Sequence, residues 1–401
     1  ENTQRDADEL ATIVYTSGST GRPKGVMLSF RNMAFAAAGG TQVLGVGAEE
    51  RMLSYLPLAH VFERTFVELG SLYSGFQLFF AESLDTFVQD LQRAQPTLFL
   101  SVPRLWVKFQ HGVLQKLPKE KLEKLLKVPL LNKVIKKKVL KGLGLNKVKL
   151  AGSGSAPLSN DVLDWYRNLG LELLEGYGMS ENFAYSHMSK PGRSRTGYVG
   201  ESAPGVETRI SPEGEIQIKS PATMMGYYKD DEKTVEAFTE DGFLRTGDKG
   251  EIDADGFLTI TGRIKELFKT SGGKYVAPPA IESKFKALCP YASQFMVFGA
   301  ERNFVVALVT LDPDAMAGWA EENGMSGKSY TEIVQSQPVK DMVAGYVEQL
   351  NAKLNRWETI KKWEILDHDL SIESGELTPS MKVKRAVVEG NNKDLIDSFY
   401  G

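Results

Sequence analysis

The run YTSGSTGRPKG, at Tyr15–Gly25, constrains the fold of this chain more than any other stretch of its sequence. Eight of its eleven residues are glycine, serine, threonine or lysine, and it follows the short run Thr12–Val14. Glycines and small hydroxyl residues let backbone N–H groups approach an anion closely, and a lysine adds positive charge. The pattern therefore predicts a strand that leads into a phosphate-holding loop.

The order of lysine and glycine in this loop excludes the common P-loop. In that motif, G-x-x-x-x-G-K-[ST], lysine follows glycine, and a small hydroxyl residue follows the lysine to reach magnesium. Here Lys24 precedes Gly25, and Val26 comes next. The run Gly273–Tyr275 has tyrosine where the small hydroxyl residue belongs. The sequence is therefore not that of a kinase or GTPase of the P-loop type.

The bulk composition is that of a soluble globular protein. The 401 residues suffice for two or more domains, and 42% hydrophobic with 25% charged residues is ordinary. A net charge of −3 does not favour a nucleic-acid partner. Cys289 is the only cysteine, which excludes an intramolecular disulfide framework and favours a reducing, cytoplasmic location.

Neither a membrane-spanning segment nor a signal peptide is predicted. No apolar run approaches the roughly 18 residues of a spanning helix, and the polar start Glu1–Asp6 lacks a signal peptide's apolar core. The chain also starts without methionine, which suggests a fragment or a processed product.

Strand-like apolar runs alternate with amphipathic segments in the first half, which predicts an α/β architecture. Strands are expected at Thr12–Thr16, which should be buried, and at 96–100 and 148–152. A helix is expected over 29–38, with its first residue as the N-cap and the pair Gly39–Gly40 as its stop.

The residue composition and the predicted secondary structure change twice in the rest of the chain. Short β-rich units with frequent glycine, such as GEIQIKS and GFLTITGR, fill residues 196–264. Mixed strands and helices follow and end in a basic segment. We therefore predict a large domain with mixed sheets over 1–264, whose last part is a β-rich subdomain. A smaller, mobile α+β domain is predicted over 265–401.

A cationic segment lies between Lys116 and Lys149, with twelve lysines against two glutamates. Leucine, valine and isoleucine are interleaved with the lysines. One interpretation is an amphipathic basic surface that makes peripheral contact with an anionic membrane. The other is a solvated helical hairpin whose leucines pack inward, with Pro129 breaking any single long helix.

The run YTSGSTGRPKG resembles the phosphate loop of the adenylate-forming (AMP-binding) superfamily, which includes acyl-CoA synthetases, luciferases and peptide-synthetase adenylation domains. Further motifs follow in the superfamily's order along the chain. The resemblance implies that the loop holds the phosphates of ATP and that Thr16 is a ligand of Mg²⁺. The implied phosphate contacts are Thr16, Ser17, Gly18, Ser19, Thr20, Gly21 and Lys24.

GSGSAP, at Gly152–Pro157, and EGYGMSE, at Glu175–Glu181, resemble the two motifs that lie along the nucleotide. A strand that ends in small residues allows a flat base or an alkyl chain to approach the backbone. The resemblance implies that Tyr177 stacks on adenine and that Ser180 reaches the α-phosphate. The other implied contacts are Gly154, Glu175, Gly176, Gly178 and the second Mg²⁺ ligand, Glu181.

RTGD, at Arg245–Asp248, and GRIKELFKTSGGKYV, at Gly262–Val276, resemble the next two motifs. Asp248 would accept two hydrogen bonds from the ribose diol. Arg263 would reach ribose or phosphate. Lys265 occupies the hinge position, at which many family members have aspartate.

ELTPSMKVKR, at Glu376–Arg385, resembles the catalytic-lysine motif of long-chain acyl-CoA synthetases. Met381 stands where the peptide-synthetase form has glycine. Lys382 aligns as the catalytic lysine, and Lys384 is the alternative.

LPLAHVFER, at Leu56–Arg64, narrows the resemblance to the long-chain fatty acyl-CoA synthetases, in which an aromatic residue or a histidine lies near the acyl pocket. His60 is therefore a candidate pocket residue. A lone histidine in an apolar stretch is also a common core residue, so both interpretations stay open.

The resemblance implies a fatty acid–CoA ligase that uses ATP and Mg²⁺ and takes CoA as co-substrate. The fatty acid carboxylate would attack the α-phosphorus of ATP, and the CoA thiol would then attack the acyl-adenylate. Lys24, Lys382 and the Mg²⁺ bound by Glu181 would lower the repulsion between the anions. The small domain would close for the first step and rotate about Lys265 for the second.

Two other functions fit the same motifs. The acyl or aryl adenylate could pass to a carrier-protein thiol, or the chain could be a nucleotide- or lipid-binding fragment without turnover. The family resemblance also implies a long segment ahead of the phosphate loop, of which only the short stretch before Tyr15 is present. Its loss is expected to expose sheet edges and apolar faces.

Overall fold

The computed structural model describes residues 4–16, 23–83, 85–264, 266–378 and 383–401. The chain divides into two compact units, Glu1–Ile260 and Thr261–Gly401. Each unit has a buried hydrophobic core of its own. The predicted boundary residue, Lys265, lies outside the described residues.

The strands up to Arg263 pair into sheets of antiparallel, parallel and mixed type, which confirms the predicted α/β class. In chain order they are β1 (Leu10–Thr16), β2 (Lys24–Ser29), β3 (Arg51–Ser54), β4 (Gln77–Phe80), β5 (Leu98–Ser101), β6 (Leu150–Ser153), β7 (Leu173–Tyr177), β8 (His187–Met188), β9 (Glu201–Ser202), β10 (Glu207–Ile210), β11 (Glu215–Lys219), β12 (Gly226–Tyr227), β13 (Leu244–Ile252) and β14 (Leu258–Arg263). Their sheet orders are β1-β2-β12, β3-β4, β5-β6-β7-β8-β9 and β10-β11-β13-β14.

The helices of the first unit connect these strands. In chain order they are α1 (Phe30–Leu44), a π-helix (Glu63–Leu69), α2 (Gly70–Ser74), α3 (Phe87–Ala94), α4 (Pro103–Lys116), α5 (Lys119–Leu126), α6 (Leu131–Gly142), α7 (Asn160–Leu169), a 3₁₀ turn (Ser180–Asn182) and α8 (Asp231–Ala237). Among the described residues of both units, no helix combines the length and the hydrophobicity needed to cross a bilayer.

The parallel strands β5, β6 and β7 determine where the motifs meet. β6 pairs in parallel with both of its neighbours, so the carboxyl ends of the three strands lie at one edge of the sheet. GSGSAP begins within β6 and EGYGMSE within β7. Ligands of open α/β sheets bind outside the carboxyl ends of the strands. The fold therefore brings these two motifs together at the edge where a ligand is expected.

α1 is longer than the sequence predicted. Ser29 is its N-cap, as expected, but the helix continues through Gly39–Gly40 to Leu44. A Cβ atom at Gly39 would lie 2.1 Å from the hydroxyl oxygen of Tyr185. The predicted stop was wrong because close packing against Tyr185, rather than the end of the helix, requires glycine here.

β1 is less buried than predicted. Val14 is 3% exposed, whereas Tyr15 is 59% exposed. The sheet order β1-β2-β12 makes β1 an edge strand, paired with β2 alone within the described residues. One of its edges therefore lacks a strand partner there, and the expectation of a buried strand holds only for Val14.

The second unit is an α+β structure around a three-stranded sheet. Its elements are β15 (Phe268–Lys269), β16 (Tyr275–Val276), α9 (Pro278–Leu288), β17 (Ala292–Phe298), β18 (Val305–Leu311), α10 (Pro313–Glu322), α11 (Tyr330–Val334), α12 (Gln337–Asn351), β19 (Ile360–Ile365), α13 (Arg385–Asn391) and α14 (Lys393–Ser398). β18 is the central strand, antiparallel to β17 and parallel to β19.

Both faces of β18 are buried. Val305, Ala307 and Val309 join one hydrophobic cluster, while Val306 and Leu308 join a second cluster. Because successive side chains of a strand point to opposite faces, this alternation places one core on each side of the sheet.

A pair of glycine substitutions tests the packing of α1. Gly39→Ala should lower the free energy of unfolding by about 1–3 kcal/mol, because the added methyl group displaces Tyr185. The hydroxyl of Tyr185 donates a hydrogen bond to the carbonyl of Pro204 at 2.9 Å, so its displacement also disturbs this bond. Urea unfolding followed by circular dichroism measures the change.

Gly112→Ala in α4 is the matched control. Apart from its own helix backbone and its chain neighbours, a Cβ atom at Gly112 would have no heavy atom within 4 Å in the part of the chain that the structure describes. Alanine should therefore raise stability by about 0.5–1 kcal/mol through helix propensity. Equal effects of the two substitutions would contradict the packing assigned to Gly39.

Candidate functional site

The two ends of the predicted phosphate loop are held together by strand pairing. β1 and β2 are antiparallel, and Thr16 lies opposite Lys24 at the open end of the pair. Both residues are partly buried. The loop between them contains Ser17–Gly21, which lies outside the described residues, as do Lys265 and Lys382.

Lys24 and Glu181 both contact Tyr227. The Lys24 ammonium lies 4.6 Å from the centroid of the Tyr227 ring, and the Tyr227 hydroxyl donates a hydrogen bond of 2.8 Å to Glu181 Oε1. Tyr227 is 6% exposed and Glu181 is 9% exposed. The first and third of the sequence motifs are therefore connected through a residue that belongs to neither.

Glu181 is fixed by the short turn that carries it. Ser180–Asn182 form a 3₁₀ turn directly after the glycine-rich end of β7, and the Asn182 side chain accepts the backbone N–H of Met179 at 2.9 Å. The carbonyl of Glu181 accepts the backbone N–H of Met224 at 2.8 Å. The carboxylate thus has a defined position, and within the described residues its second oxygen, Oε2, makes no hydrogen bond.

Tyr177 and Asp248 meet although they come from different motifs. The Tyr177 hydroxyl donates a hydrogen bond of 2.6 Å to Asp248 Oδ2. Asp248 lies in β13 and is 5% exposed. The contact places the predicted adenine-stacking residue beside the predicted ribose-binding carboxylate.

Tyr177 also lines a cavity of about 70 Å³ that opens to solvent. Its wall combines segments of three sequence motifs, namely 152–155, 175–178 and Val61–Phe62. Gly154, Gly176 and Gly178 are among the lining residues, as predicted for a wall that a ligand approaches closely. A Cβ atom at Gly178 would lie 2.5 Å from the carbonyl carbon of Ala184, so glycine is required there.

The cavity continues into an apolar region. A second cavity, of only about 10 Å³, shares the lining residues Leu44, Phe66 and Leu100 with the first. Ala37 and Gly40 of α1 line its far side. Alkyl and aromatic side chains dominate this wall.

The titratable groups in the cavity wall are shifted toward their neutral forms. Burial raises the pKa of Glu175 to about 7, and burial lowers the pKa of His187 to about 4. The hydroxyl oxygens of Ser153 and Ser189 are buried without a hydrogen-bond partner in the described structure. The wall therefore offers neutral polar groups with unused hydrogen-bonding capacity.

His60 does not line the cavity in the described structure, whereas its neighbours Val61 and Phe62 do. The Nδ1 atom of His60 accepts the backbone N–H of Phe62 at 3.3 Å. The sequence motif LPLAHVFER thus contributes its aliphatic and aromatic residues to the wall.

Arg263 is the last residue of β14 and is exposed. Tyr227 is the site residue that motif reasoning missed. The sequence feature that could have indicated it is the Gly-Tyr-Tyr run at 226–228. The sequence alone, however, does not show which residues either tyrosine contacts.

Comparisons with known proteins assign both parts of the chain to one family. Residues 1–228 match the family described as AMP-binding enzyme, and residues 266–401 match the AMP-binding enzyme C-terminal domain. Long-chain-fatty-acid–CoA ligase FadD15 of Mycobacterium bovis is 34% identical over 420 residues, which cover 97% of this chain and 69% of FadD15. Long-chain-fatty-acid–CoA ligase ACSBG2 of Gallus gallus is 34% identical over 447 residues, which cover 98% of this chain and 59% of ACSBG2.

Solved adenylation domains share the fold. The adenylation domain of a carboxylate reductase from Mycobacterium chelonae has a TM-score of 0.78 and 26% identity, covering 99% of this chain and 61% of that one. ATP-bound MatB from Rhodopseudomonas palustris has a TM-score of 0.70 and 28% identity, and the match covers 98% of this chain and 70% of MatB. The chain is shorter than these relatives, as its sequence predicted.

Glu175→Gln is expected to change how stability depends on pH. Between the ordinary pKa of 4.5 and the folded value of about 7, the folded state keeps a proton that the unfolded state has released. The wild-type free energy of unfolding should therefore fall across this range. Glutamine carries no such proton, so the variant should gain about 1–2 kcal/mol over the wild type from pH 5 to pH 8.

Denaturant unfolding at a series of pH values measures this difference. Glu120→Gln, at an exposed position of α5, is the control and should retain the wild-type pH dependence. A Glu175→Gln curve parallel to that of the wild type would contradict a neutral carboxyl in the cavity.

Proposed function

Because this chain belongs to the AMP-binding enzyme family, we propose that it is an ATP-dependent acid–thiol ligase for long-chain fatty acids. The observation that carries the proposal is the composition of the cavity wall. The segments 152–155 and 175–178, which resemble nucleotide motifs, share this wall with the apolar residues Val61 and Phe62. A nucleotide end and an alkyl end would therefore meet in one cavity.

The adenosine part of ATP would bind where Tyr177 contacts Asp248. An aromatic ring can stack on adenine, and a carboxylate has acceptor capacity for the ribose hydroxyls beyond the bond from Tyr177. Glu175 would face the base in its neutral form below pH 7, since burial raises its pKa to about 7. A protonated carboxyl both donates and accepts hydrogen bonds, as an adenine edge requires.

Mg²⁺ would bind the Glu181 carboxylate and the Thr16 hydroxyl. This donor set fits the ion, which uses one or two protein oxygens, several waters and the phosphates of its nucleotide. The second carboxylate oxygen of Glu181 makes no hydrogen bond within the described residues. When bound, the ion would offset charge that develops on the phosphates.

The reaction would proceed in two displacements. A carboxylate oxygen of the fatty acid would bond to the α-phosphorus of ATP, and pyrophosphate would leave. The CoA sulfur, as thiolate, would then bond to the acyl carbon, and AMP would leave. Lys24 and Lys382 would lower the repulsion between carboxylate and phosphate in the first step. Lys382 and the hinge residue Lys265 enter this proposal through sequence resemblance.

The acceptor thiol has an alternative. Adenylation domains of carboxylate reductases are among the structural neighbours, and one was solved as an A-PCP didomain. Transfer to a carrier-protein thiol would use the same adenylation chemistry and yield no product with free CoA. The named sequence relatives are CoA ligases, which favours free CoA for this chain.

Fatty-acid-dependent exchange of pyrophosphate into ATP is the first test of the proposal. Lys382→Ala should reduce the exchange by about 10²–10³-fold, because a positioned cation is lost from the transition state. Lys384→Ala is the matched control in the same motif and should retain most of the activity.

The outcomes separate the candidate functions. Exchange without an acyl-CoA product would favour a carrier-protein acceptor. Wild-type chain that lacks exchange would contradict ligase activity, and a larger loss in Lys384→Ala than in Lys382→Ala would reverse the assignment of the lysines.

We also propose a peripheral membrane contact through the cationic segment 116–149. α5 and α6 form a helical hairpin that exposes apolar side chains at its turn and in the first part of α6, with Leu130 81% and Val134 60% exposed. Leu122 packs inward at 2% exposure. Among the described residues, none of the ten lysines from Lys116 to Lys141 forms an ion pair.

The turn itself directs Leu130 outward. Its backbone has φ +66° and ψ −46°, and the N–H of Leu131 donates to the carbonyl of Pro129 at 2.8 Å. This geometry is close to that of the rare and strained γ-turn. Exposed apolar side chains, on a hairpin whose lysines form no ion pair among the described residues, suit an anionic lipid surface, where both kinds of side chain gain favourable contacts.

Sedimentation with lipid vesicles tests the membrane contact. Binding should be strong with phosphatidylserine-containing vesicles, weak with pure phosphatidylcholine, and reduced by salt. Replacing Leu130 and Val134 together by serine should weaken binding at least about tenfold, because two apolar side chains no longer enter the interface. Val235→Ser, which changes an apolar residue 76% exposed in α8, is the control. Unchanged binding of the double variant would contradict the proposal.

A further inference from the structure

Tyr227 lies between two charged side chains of the proposed site. Of these, Lys24 would bind the phosphates and Glu181 would bind Mg²⁺. The face of its ring carries the Lys24 ammonium at 4.6 Å, and its hydroxyl donates to Glu181 Oε1 at 2.8 Å. A cation above an aromatic face and an anion at the hydroxyl are both favourable contacts of a neutral phenol. One side chain therefore holds both groups.

The position of Tyr227 follows from strand register. β12 pairs with β2 so that Tyr227 lies opposite Val26. Lys24 precedes Val26 by two residues and therefore points to the same face of the sheet. Diagonal neighbours on one face of an antiparallel pair are within reach of aromatic and long side chains. The contact between Lys24 and Tyr227 is thus set by the backbone.

The backbone around Tyr227 is anchored to both partners. The N–H of Tyr227 donates to Thr234 Oγ1 at 2.8 Å, and the N–H of Tyr228 donates to the carbonyl of Gly25 at 2.7 Å. The N–H of Met224 donates to the carbonyl of Glu181 at 2.8 Å. The segment is therefore tied to the strand of Lys24 and to the turn of Glu181 by backbone bonds that do not involve the phenol.

The arrangement keeps two opposite charges apart. Within the described residues, Lys24 and Glu181 form no ion pair with each other. A direct pair between them would have to break before phosphate could bind the ammonium and Mg²⁺ the carboxylate. With the neutral phenol between them, each charge keeps a fixed place and remains available to a ligand.

We propose that Tyr227 is a positioning residue that separates Lys24 from Glu181 and holds each ready for the Mg²⁺ complex of ATP. This inference rests on the proposed nucleotide site. It predicts that the hydroxyl and the ring have separable roles: the hydroxyl acts on Mg²⁺ through Glu181, and the ring acts on phosphate through Lys24.

Two substitutions at position 227 separate these roles. Tyr227→Phe removes the hydroxyl and keeps the ring, whereas Tyr227→Leu removes both. Tyr228→Phe is the matched control, since this neighbour is 40% exposed and its ring contacts Lys229. Calorimetric binding of ATP to the full chain, once in Mg²⁺ and once in EDTA, is the readout, and circular dichroism establishes that each variant is folded.

In the Tyr227→Phe variant, the factor by which Mg²⁺ increases the affinity for ATP should fall about tenfold, which is the scale of one hydrogen bond to a charged group. In EDTA this variant should bind ATP with the affinity of the wild type. Tyr227→Leu should in addition bind ATP several-fold more weakly in EDTA, because Lys24 loses its aromatic contact. In a Glu181→Gln background, Tyr227→Phe should have no further effect on the response to Mg²⁺. The control Tyr228→Phe should match the wild type.

Three results would overturn the inference: wild-type Mg²⁺ dependence in Tyr227→Phe, an equal loss in Mg²⁺ and EDTA, or a wild-type chain that does not bind ATP. Failure of the ligase proposal would look different. In that case the fatty-acid-dependent exchange would be absent, while ATP binding would still respond to Mg²⁺ through Tyr227.

Discussion

The pairing of β12 with β2 is the contact on which the described site depends. β2 is the central strand of its sheet, with the phosphate-loop hairpin on one side and a strand from the β-rich region on the other. The register Tyr227 opposite Val26 brings the tyrosine onto the face of Lys24. A slip of one residue would turn Tyr227 to the other face and disconnect Lys24 from Glu181. The chemistry at the loop is therefore tied to the pairing of two distant segments.

Burial determines where charge is found around the cavity. Glu175 and His187 both shift toward their neutral forms, the first because its pKa rises to about 7 and the second because its pKa falls to about 4. The part of the cavity wall that Glu175 and His187 form is then compatible with a flat base and an alkyl chain. The charged side chains Lys24, Glu181 and Asp248 are each held by a tyrosine contact. Neutral walls with charges at fixed places suit a ligand that is apolar at one end and polyanionic at the other.

The sequence predicted the motifs of the site better than their connections. The α/β class and the N-cap Ser29 followed from residue types and spacing, because these depend on local chemistry. The family followed from the resemblance of the ordered motifs to those of known proteins. The continuation of α1 through Gly39 did not, since glycine is required there by Tyr185, which lies far along the chain. Tyr227 was likewise missed, because its role depends on strand register rather than on its neighbours. Phe62 rather than His60 lines the cavity, which the sequence motif alone did not distinguish.

We propose above all that the carboxylate of a fatty acid is activated as an adenylate in this cavity. The most direct measurement follows ¹⁸O from a labelled fatty acid carboxylate through one turnover in the presence of ATP, Mg²⁺ and CoA. Attack of the carboxylate on the α-phosphorus predicts that the label appears in the phosphate of AMP. Label in inorganic phosphate together with ADP, or no transfer of label to any phosphate, would contradict the claim.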